Sequence, residues 1–375
     1  MFKLTALLTS LCFLILPATF DNVQPANETT EKDKIQVALL LDTSNSMDGL
    51  IDQAKSQLWK MVNELATSKK DGQTPDIEIA LYEYGNTSIS GKENYIRQIT
   101  PLTTDLDLVS EKLFELKTNG GDEYCGTVIK VGTQNLEWTE SNDDLKIMVI
   151  AGNEPFNQGP TDYKQSCKKA IEKGIMINTI HCGDYQKGIN DFWKDGADLT
   201  DGKYMNIDTD QEVVHIPTPF DDQIIGLNQK LNSTYVSYGA EGKVAAQRQA
   251  TQDTNAGSYS KANARTRASF KAKDSYSNAQ WDLVDASSDD ASVLEEVEEE
   301  QLPDEMKGMS TDERKKYIEE KRTERENIKK QIRDLDKKAQ DFVTEKRKSQ
   351  AETQTLDNVL IDAVKQQATK KNFDF

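Results

Sequence analysis

From Lys34 to about Gly239, short apolar runs alternate with stretches whose apolar residues recur every three or four positions. The first apolar run, Lys34–Leu41, is followed at once by such a helical stretch, with Ile51 and Ala54 on its apolar face. This alternation is typical of a parallel β-sheet covered by helices. We therefore predict a doubly wound, mostly parallel α/β domain over residues 34–239, followed by a largely α-helical extension. Its strands are predicted at residues 34–41, 77–84, 95–99, 146–151, 174–181 and 204–207.

The extension divides by composition. Residues 240–288 are rich in Ala, Gln, Asn and Ser, and they predict a polar, helical segment with a few aromatic residues that dock it. Residues 289–309 begin with a block of acids that contains no base, and this pattern predicts a solvated linker. Residues 351–375 are predicted to form an amphipathic helix and a tail.

Residues 310–350 are predicted to form one charged helix. Ser310 and Glu313 have the spacing of a capping box, and neither Gly nor Pro interrupts the stretch that follows. Its apolar face is a short heptad seam, which is too small to hold an isolated helix in water. The seam must therefore contact the α/β domain, the 240–280 segment or a second copy of the chain, in a short coiled coil. It consists of Ile328, Ile332, Leu335 and Phe342.

The N-terminus predicts export. Residues 1–20 combine Lys3 with an apolar run that is too short to span a bilayer comfortably, as in a secretory signal peptide. Residues 21–33 form a polar leader. We expect a periplasmic, cell-envelope or secreted protein, with an uncleaved anchor as the alternative, and no transmembrane helix in the mature chain.

Composition narrows the function. The net charge is −18, which argues against nucleic acid or an anionic membrane as the main partner. Two histidines leave little material for a histidine-rich metal site or a Ser-His-Asp triad, and no glycine-rich nucleotide loop occurs. We predict that the protein is not an enzyme.

One motif carries chemistry. The first predicted strand runs directly into Asp42–Ser46, with the sequence Asp-Thr-Ser-Asn-Ser, and a helix follows. Ligands bind where the strands of an open α/β sheet end, and carboxylate and hydroxyl oxygens suit Mg²⁺, Mn²⁺ or Ca²⁺. A bare polar turn that caps the helix is the alternative. A calcium loop is excluded because Met47 and Gln53 occupy its glycine and glutamate positions.

The motif resembles the metal-ion-dependent adhesion site of von Willebrand factor A domains and integrin I domains. Asp42, Ser44 and Ser46 match that site residue by residue. The family's threonine is replaced by Asp122, and its last aspartate by Gly152. The resemblance, in a rearranged form, implies a divalent cation held by Asp42, Ser44, Ser46, Asp122, Asn153 and Glu154.

The chain also resembles a bacterial subgroup of exported A domains, which have a Gly-Asn-Glu-Pro-Phe turn and a polar helical extension. This resemblance implies a non-enzymatic binding module that contacts a partner protein's carboxylate through the cation. The alternative is a structural envelope scaffold, which has a metal-free site and acts through its extension. A hydrolase using His181 and Cys182 is a third hypothesis.

Three cysteines remain beyond the signal peptide, so an oxidising compartment would leave one disulfide and one thiol, or three buried thiols. We predict a disulfide that uses Cys167, with Cys182 favoured over Cys125 as its partner.

Overall fold

The computed structural model describes residues 32–207, 216–349 and 356–375. The predicted signal peptide and nearly all of the leader lie outside these residues. Within them, no helix combines the length and the apolar character needed to cross a membrane.

A six-stranded sheet forms the centre of the α/β domain, with the strand order β3-β2-β1-β4-β5-β6. All neighbouring pairs are parallel except β2 and β3, so β3 is an antiparallel edge strand. This sheet confirms the predicted fold class. The strands are β1 (Lys34–Asp42), β2 (Asp76–Tyr84), β3 (Ile96–Thr103), β4 (Leu145–Gly152), β5 (Ile175–Cys182) and β6 (Tyr204–Ile207).

Helices cover both faces of the sheet because the central strands are apolar on both faces. In β1, Val37 and Leu39 belong to one core, whereas Ala38 and Leu40 belong to the core on the opposite face. The helices within the domain are α1 (Asp48–Leu65), α2 (Leu106–Glu115), α3 (Cys125–Asn135), α4 (Tyr163–Glu172), α5 (Tyr185–Asn190), α6 (Trp193–Asp198) and α7 (Asp221–Asn232).

The extension contributes further helices, and the whole of Lys32–Phe375 forms one compact unit. The capping box at Ser310 is present: its backbone N–H donates to Glu313 Oε2 at 2.8 Å, and the long helix begins at Thr311. The helices are α8 (Gly242–Tyr259), α9 (Lys261–Lys271), α10 (Leu283–Asp289), α11 (Val293–Glu296), α12 (Thr311–Ser349) and α13 (Leu356–Thr369).

The heptad seam of α12 is covered within the chain. Ile328 and Ile332 are buried in a cluster with Ile224 of α7 and Ala268 of α9, and Leu335 packs against the same cluster. Of the three contacts considered for the seam, the structure thus shows two: the α/β domain, through α7, and the 240–280 segment, through α9.

The segment 289–309 differs from the solvated linker expected from its charge. Leu294, Val297, Leu302 and Met306 are buried in a cluster with residues of α10 and α12. The acids face outward while every few residues an apolar side chain points inward, so the segment is packed despite its charge.

The last helix completes the core of the α/β domain. Val364, Ala368 and Phe373 are buried in the same cluster as residues of β1, β5 and β6. Gln367 of α13 and Asn178 of β5 exchange two buried side-chain hydrogen bonds, each of 2.9 Å. Beyond α13, Asp374 forms an antiparallel bridge with Lys69. The C-terminal segment is therefore an integral part of the domain.

Buried ion pairs link the extension to the domain. Arg267 of α9 is fully buried, and it pairs with Asp107 of α2 and Asp253 of α8 at 2.7 Å each. Lys271 contacts Asp253 at 2.9 Å. Burial alone would raise the pKa of Asp253, but Lys271 and Arg267 hold it well below its usual range.

The disulfide predicted for Cys167 is absent, and the three cysteines of the described residues are buried free thiols. Cys182 belongs to the core on one face of the sheet, whereas Cys125 and Cys167 belong to the core on the other face. The sheet therefore separates the favoured pair, because alternate residues of β5 point to opposite faces.

Candidate functional site

The Asp42–Ser46 loop lies at the carboxyl edge of the sheet, between β1 and α1. The adjacent strand β4 ends at Gly152, so the turn that contains Asn153 and Glu154 lies beside this loop. The loop that precedes α3 also meets it, because Asn119 donates its backbone N–H to Thr43 O at 2.9 Å. The topology thus brings together the three loops on which the sequence placed its site residues.

Four of the six predicted residues are connected by contacts. Asp42 is fully buried, and its Oδ1 accepts the backbone N–H of Ser44 at 2.7 Å. The hydroxyl oxygens of Ser44 and Ser46 are 3.4 Å apart. Asn153 joins this group, since its Nδ2 donates to Ser46 Oγ at 2.9 Å.

The other two predicted residues are placed differently. Asp122 is exposed, and its Oδ2 accepts the hydroxyl of Tyr124 at 3.1 Å. The Glu154 side chain is also exposed, although its backbone carbonyl accepts the Trp193 indole N–H at 2.9 Å. The buried acid next to Asp42 is instead Glu123, which is 5% exposed.

Burial and mutual repulsion shape the electrostatics of Asp42 and Glu123. Burial, followed by the nearby Glu123 carboxyl, raises the pKa of Asp42 well above its ordinary value. Burial likewise raises the pKa of Glu123, although hydrogen bonds with Asp42, Ser44 and the Glu154 backbone oppose the shift. Two desolvated carboxyls in contact are unfavourable when both are ionised, so this position favours a positive charge between them.

Several buried oxygen atoms of the site accept no hydrogen bond from the described residues. They are Asp42 Oδ2, Glu123 Oε2 and Asn153 Oδ1. Among the described residues, no group of three or more His, Cys, Asp or Glu side chains could hold a metal ion. A cation here would therefore need the serine hydroxyl and asparagine amide oxygens in addition to two carboxylates. These oxygens are all hard ligands, and they fit Mg²⁺, Mn²⁺ or Ca²⁺.

Two glycines allow close packing around the site. A Cβ at Gly85, where φ is +76°, would lie 2.8 Å from both Asp42 Oδ1 and Glu123 Cγ. A Cβ at Gly152 would lie 2.5 Å from the hydroxyl of Tyr84, which donates to Ala151 O at 2.8 Å. The tyrosine hydroxyl therefore occupies the space next to position 152, where the resemblance placed the family's last aspartate.

His181 and Cys182 do not form a nucleophilic pair. His181 is 1% exposed, its ring centroid lies 5.8 Å from that of Trp193, and burial lowers its pKa. Cys182 lies in the core on the face opposite to Trp193. Burial also raises the pKa of the Cys182 thiol well above its usual value, which disfavours the reactive thiolate.

The fold and these loops define an open α/β domain with an oxygen-rich site at the carboxyl edge of its sheet. Residues 36–211 match the family described as von Willebrand factor type A domain. Residues 36–211 are thus a von Willebrand factor type A domain, which confirms the resemblance stated from its first loop. No curated protein matches the chain.

Solved structures with a similar fold include BatB from Bacteroides thetaiotaomicron, at 16% identity, with 46% of this chain and 90% of that chain covered and a TM-score of 0.36. The SpRpn10 VWA domain is also 16% identical, with 48% and 90% covered and a TM-score of 0.35. Proximal thread matrix protein 1 from the mussel byssus, with a zinc-occupied MIDAS motif, is 11% identical, with 48% and 43% covered and a TM-score of 0.35.

Glu123 is the site residue that the sequence reasoning missed. Asp122 and Glu123 are adjacent acids in one loop, and no periodicity indicates which of them faces inward. The one indication that Glu123 faces inward was Cys125, which is the first residue of α3 and has its side chain in the core. Glu123 lies two residues before this buried side chain.

Proposed function

We propose that the protein is an exported, non-enzymatic binding module that contacts a partner protein through a divalent cation. Asp42, Glu123, Ser44, Ser46 and Asn153 would hold Mg²⁺, Mn²⁺ or Ca²⁺, and a carboxylate of the partner would complete its coordination. The bound cation supplies positive charge for that carboxylate. The residues themselves fix the ligand oxygens in place, since Asp42 is held by the Ser44 N–H and Ser46 by the Asn153 amide.

The observation that carries this proposal is the set of buried oxygens without hydrogen bonds from the described residues. A buried carboxylate oxygen without a partner is costly, and two of them side by side repel each other. A cation between Asp42 and Glu123 would remove both penalties. Asp122 and Glu154, which the sequence suggested as ligands, remain candidates for a supporting role at the exposed rim of the site.

Titration calorimetry on the full chain with Mg²⁺, Mn²⁺ and Ca²⁺ tests the cation. The sharpest comparison is Glu123→Gln against Asp122→Asn, because the two acids are neighbours and only Glu123 is buried. We expect Glu123→Gln to abolish the binding heat and Asp122→Asn to retain it. The proposal fails if the wild-type chain takes up none of the three cations.

The second candidate is a structural envelope scaffold with a metal-free site. Its support is the packing of the extension: α9, α12 and α13 are buried against the domain or against one another, and the whole forms one unit. In this case Asp42 and Glu123 would hydrogen-bond through a shared proton. Absence of cation uptake in the same calorimetric experiment would favour the scaffold.

A further inference from the structure

Two aromatic rings are exposed at the rim of the site. Tyr185, which begins α5 just after β5, is 51% exposed, and Phe192, between α5 and α6, is 40% exposed. The backbone next to Phe192 is tied to the turn after β4: Asp191 O accepts the Phe156 N–H at 2.8 Å. Both rings therefore lie on the same edge of the sheet as the cation site.

The conformation of Phe192 is unusual for a residue of its size. Its φ of 68° and ψ of 11° lie in the left-handed region, where a bulky side chain is strained. This conformation turns the next residue, Trp193, into the core, where it is fully buried. The Phe192 ring packs in part against Tyr163, at 6.1 Å between ring centroids, and is otherwise exposed. Asparagine or glycine would meet the same backbone requirement with less strain, so the turn alone does not account for the aromatic ring.

The rim around these rings is negatively charged. Glu154 and Asp184 are exposed, and neither of them forms an ion pair with any described residue. In contrast, the basic side chain of Lys187, on the same helix as Tyr185, is already paired with Asp191 at 2.5 Å. The surface thus offers apolar area together with uncompensated negative charge.

We propose that this surface, formed by Tyr185, Phe192 and the carboxylates of Glu154 and Asp184, binds a partner protein segment in which an apolar side chain lies beside lysine or arginine. Exposed aromatic residues are frequent anchors of protein interfaces, and unpaired carboxylates select basic neighbours for the apolar group. The inference rests on the proposed function in so far as the same partner also reaches the cation.

A displayed random-peptide library, selected on the full-length chain in Mg²⁺, supplies the probe. Enriched peptides are synthesised with a fluorophore, and their affinities are measured by anisotropy for the wild type and for Tyr185→Ser/Phe192→Asn. Asparagine tolerates the left-handed backbone, so this variant retains the fold. The matched control is Leu199→Ser. Leu199 is 41% exposed but lies at the far end of α6, next to Thr200, which bonds Ile177 near the start of β5.

We expect enriched peptides to combine apolar and basic residues, and we expect the double variant to weaken their binding by about tenfold or more while Leu199→Ser binds like the wild type. Equal affinity for the double variant, or enrichment of acidic peptides without basic residues, would overturn the inference. So would a wild-type dimer, seen by light scattering, that the double variant abolishes, because a second copy would then cover the surface.

Two further measurements separate this inference from the proposed function. If Glu123→Gln and chelation leave peptide binding unchanged while the double variant loses it, the aromatic surface stands and the cation-dependent contact of that segment fails. If Glu123→Gln and chelation abolish binding but the double variant does not, the cation contact stands and the aromatic surface is wrong.

Discussion

Replacing Glu123 by glutamine should uncouple the stability of the protein from divalent cations. The buried carboxyls of Asp42 and Glu123 repel each other in the metal-free protein, and burial raises the pKa of both. The neutral glutamine keeps the size of the side chain but removes one of the two charges. Without added cation, we therefore expect the variant to be at least as stable as the wild type.

With an added divalent cation, the order of stability should reverse, so that the wild type is more stable than Glu123→Gln. A ligand present at a hundredfold excess over its Kd stabilises the folded state by about 2.7 kcal/mol. The compact unit spans Lys32–Phe375. With an unfolding entropy of about 2.1 cal/mol/K per residue, each kcal/mol of added stability raises the Tm of such a unit by about 1.4 °C. The wild type should therefore gain about 4 °C in Tm, and Glu123→Gln should gain close to nothing.

Differential scanning calorimetry with and without Mg²⁺ or Mn²⁺ measures both effects on the same samples. Asp122→Asn is the control, since it removes one negative charge from the neighbouring position at the exposed rim and should keep the full gain in Tm. The reasoning is refuted if Glu123→Gln gains as much as the wild type, or if Asp122→Asn alone loses the gain.

Four further experiments, three of them on substituted proteins, test other parts of the structure. Ile332→Ala empties part of the α12 seam and should lower the stability by about 2–5 kcal/mol without changing the mass in light scattering, because the seam is covered within the chain. Phe373→Ala should cost about 3–5 kcal/mol in urea unfolding, since the ring is fully buried in the core of the domain. The pKa of Asp253 is lowered in the folded protein, so this carboxylate stabilises the fold at neutral pH, and that stabilisation is lost as the pH falls below about 4. Asp253→Asn should therefore be less stable than the wild type at pH 7. In thermal melts at a series of pH values, the variant should not show the loss of stability below about pH 4 that this carboxylate causes in the wild type. Thiol titration of the unreduced, denatured protein, lacking its predicted signal peptide, should find three free cysteines, and any value below three would contradict the three free thiols of the structure.

The sheet was predictable because its signal is local. Each parallel strand is a short, largely apolar run, and Asp42–Ser46 follows the first run directly, so the fold and the position of the site could be read from neighbouring residues. The limits of the prediction lie where orientation matters. Asp122 and Glu123 differ only in which way they point, and this is set by the contacts of their loop with Gly85 and Asp42, which are distant in sequence.

Two other expectations failed because one property was given too much weight. The predicted pairing of Cys167 with Cys182 considered their height along the sheet but not the alternation of β5, which places Cys182 on the face opposite to Cys167. The acidic segment 289–309 was judged by its charge, although Leu294 and Val297 recur at a spacing that allows burial. In both cases the periodicity of the side chains along the sequence indicated the arrangement that the structure shows.

The position of α13 has a consequence for the order in which the chain can fold during synthesis. Phe373 is buried in the same core as residues of β1, so the core lacks part of its packing until α13 and Phe373 have left the ribosome. A domain with a self-contained core can complete its packing as soon as it emerges, whereas the core of this sheet is completed only when α13 has been synthesised.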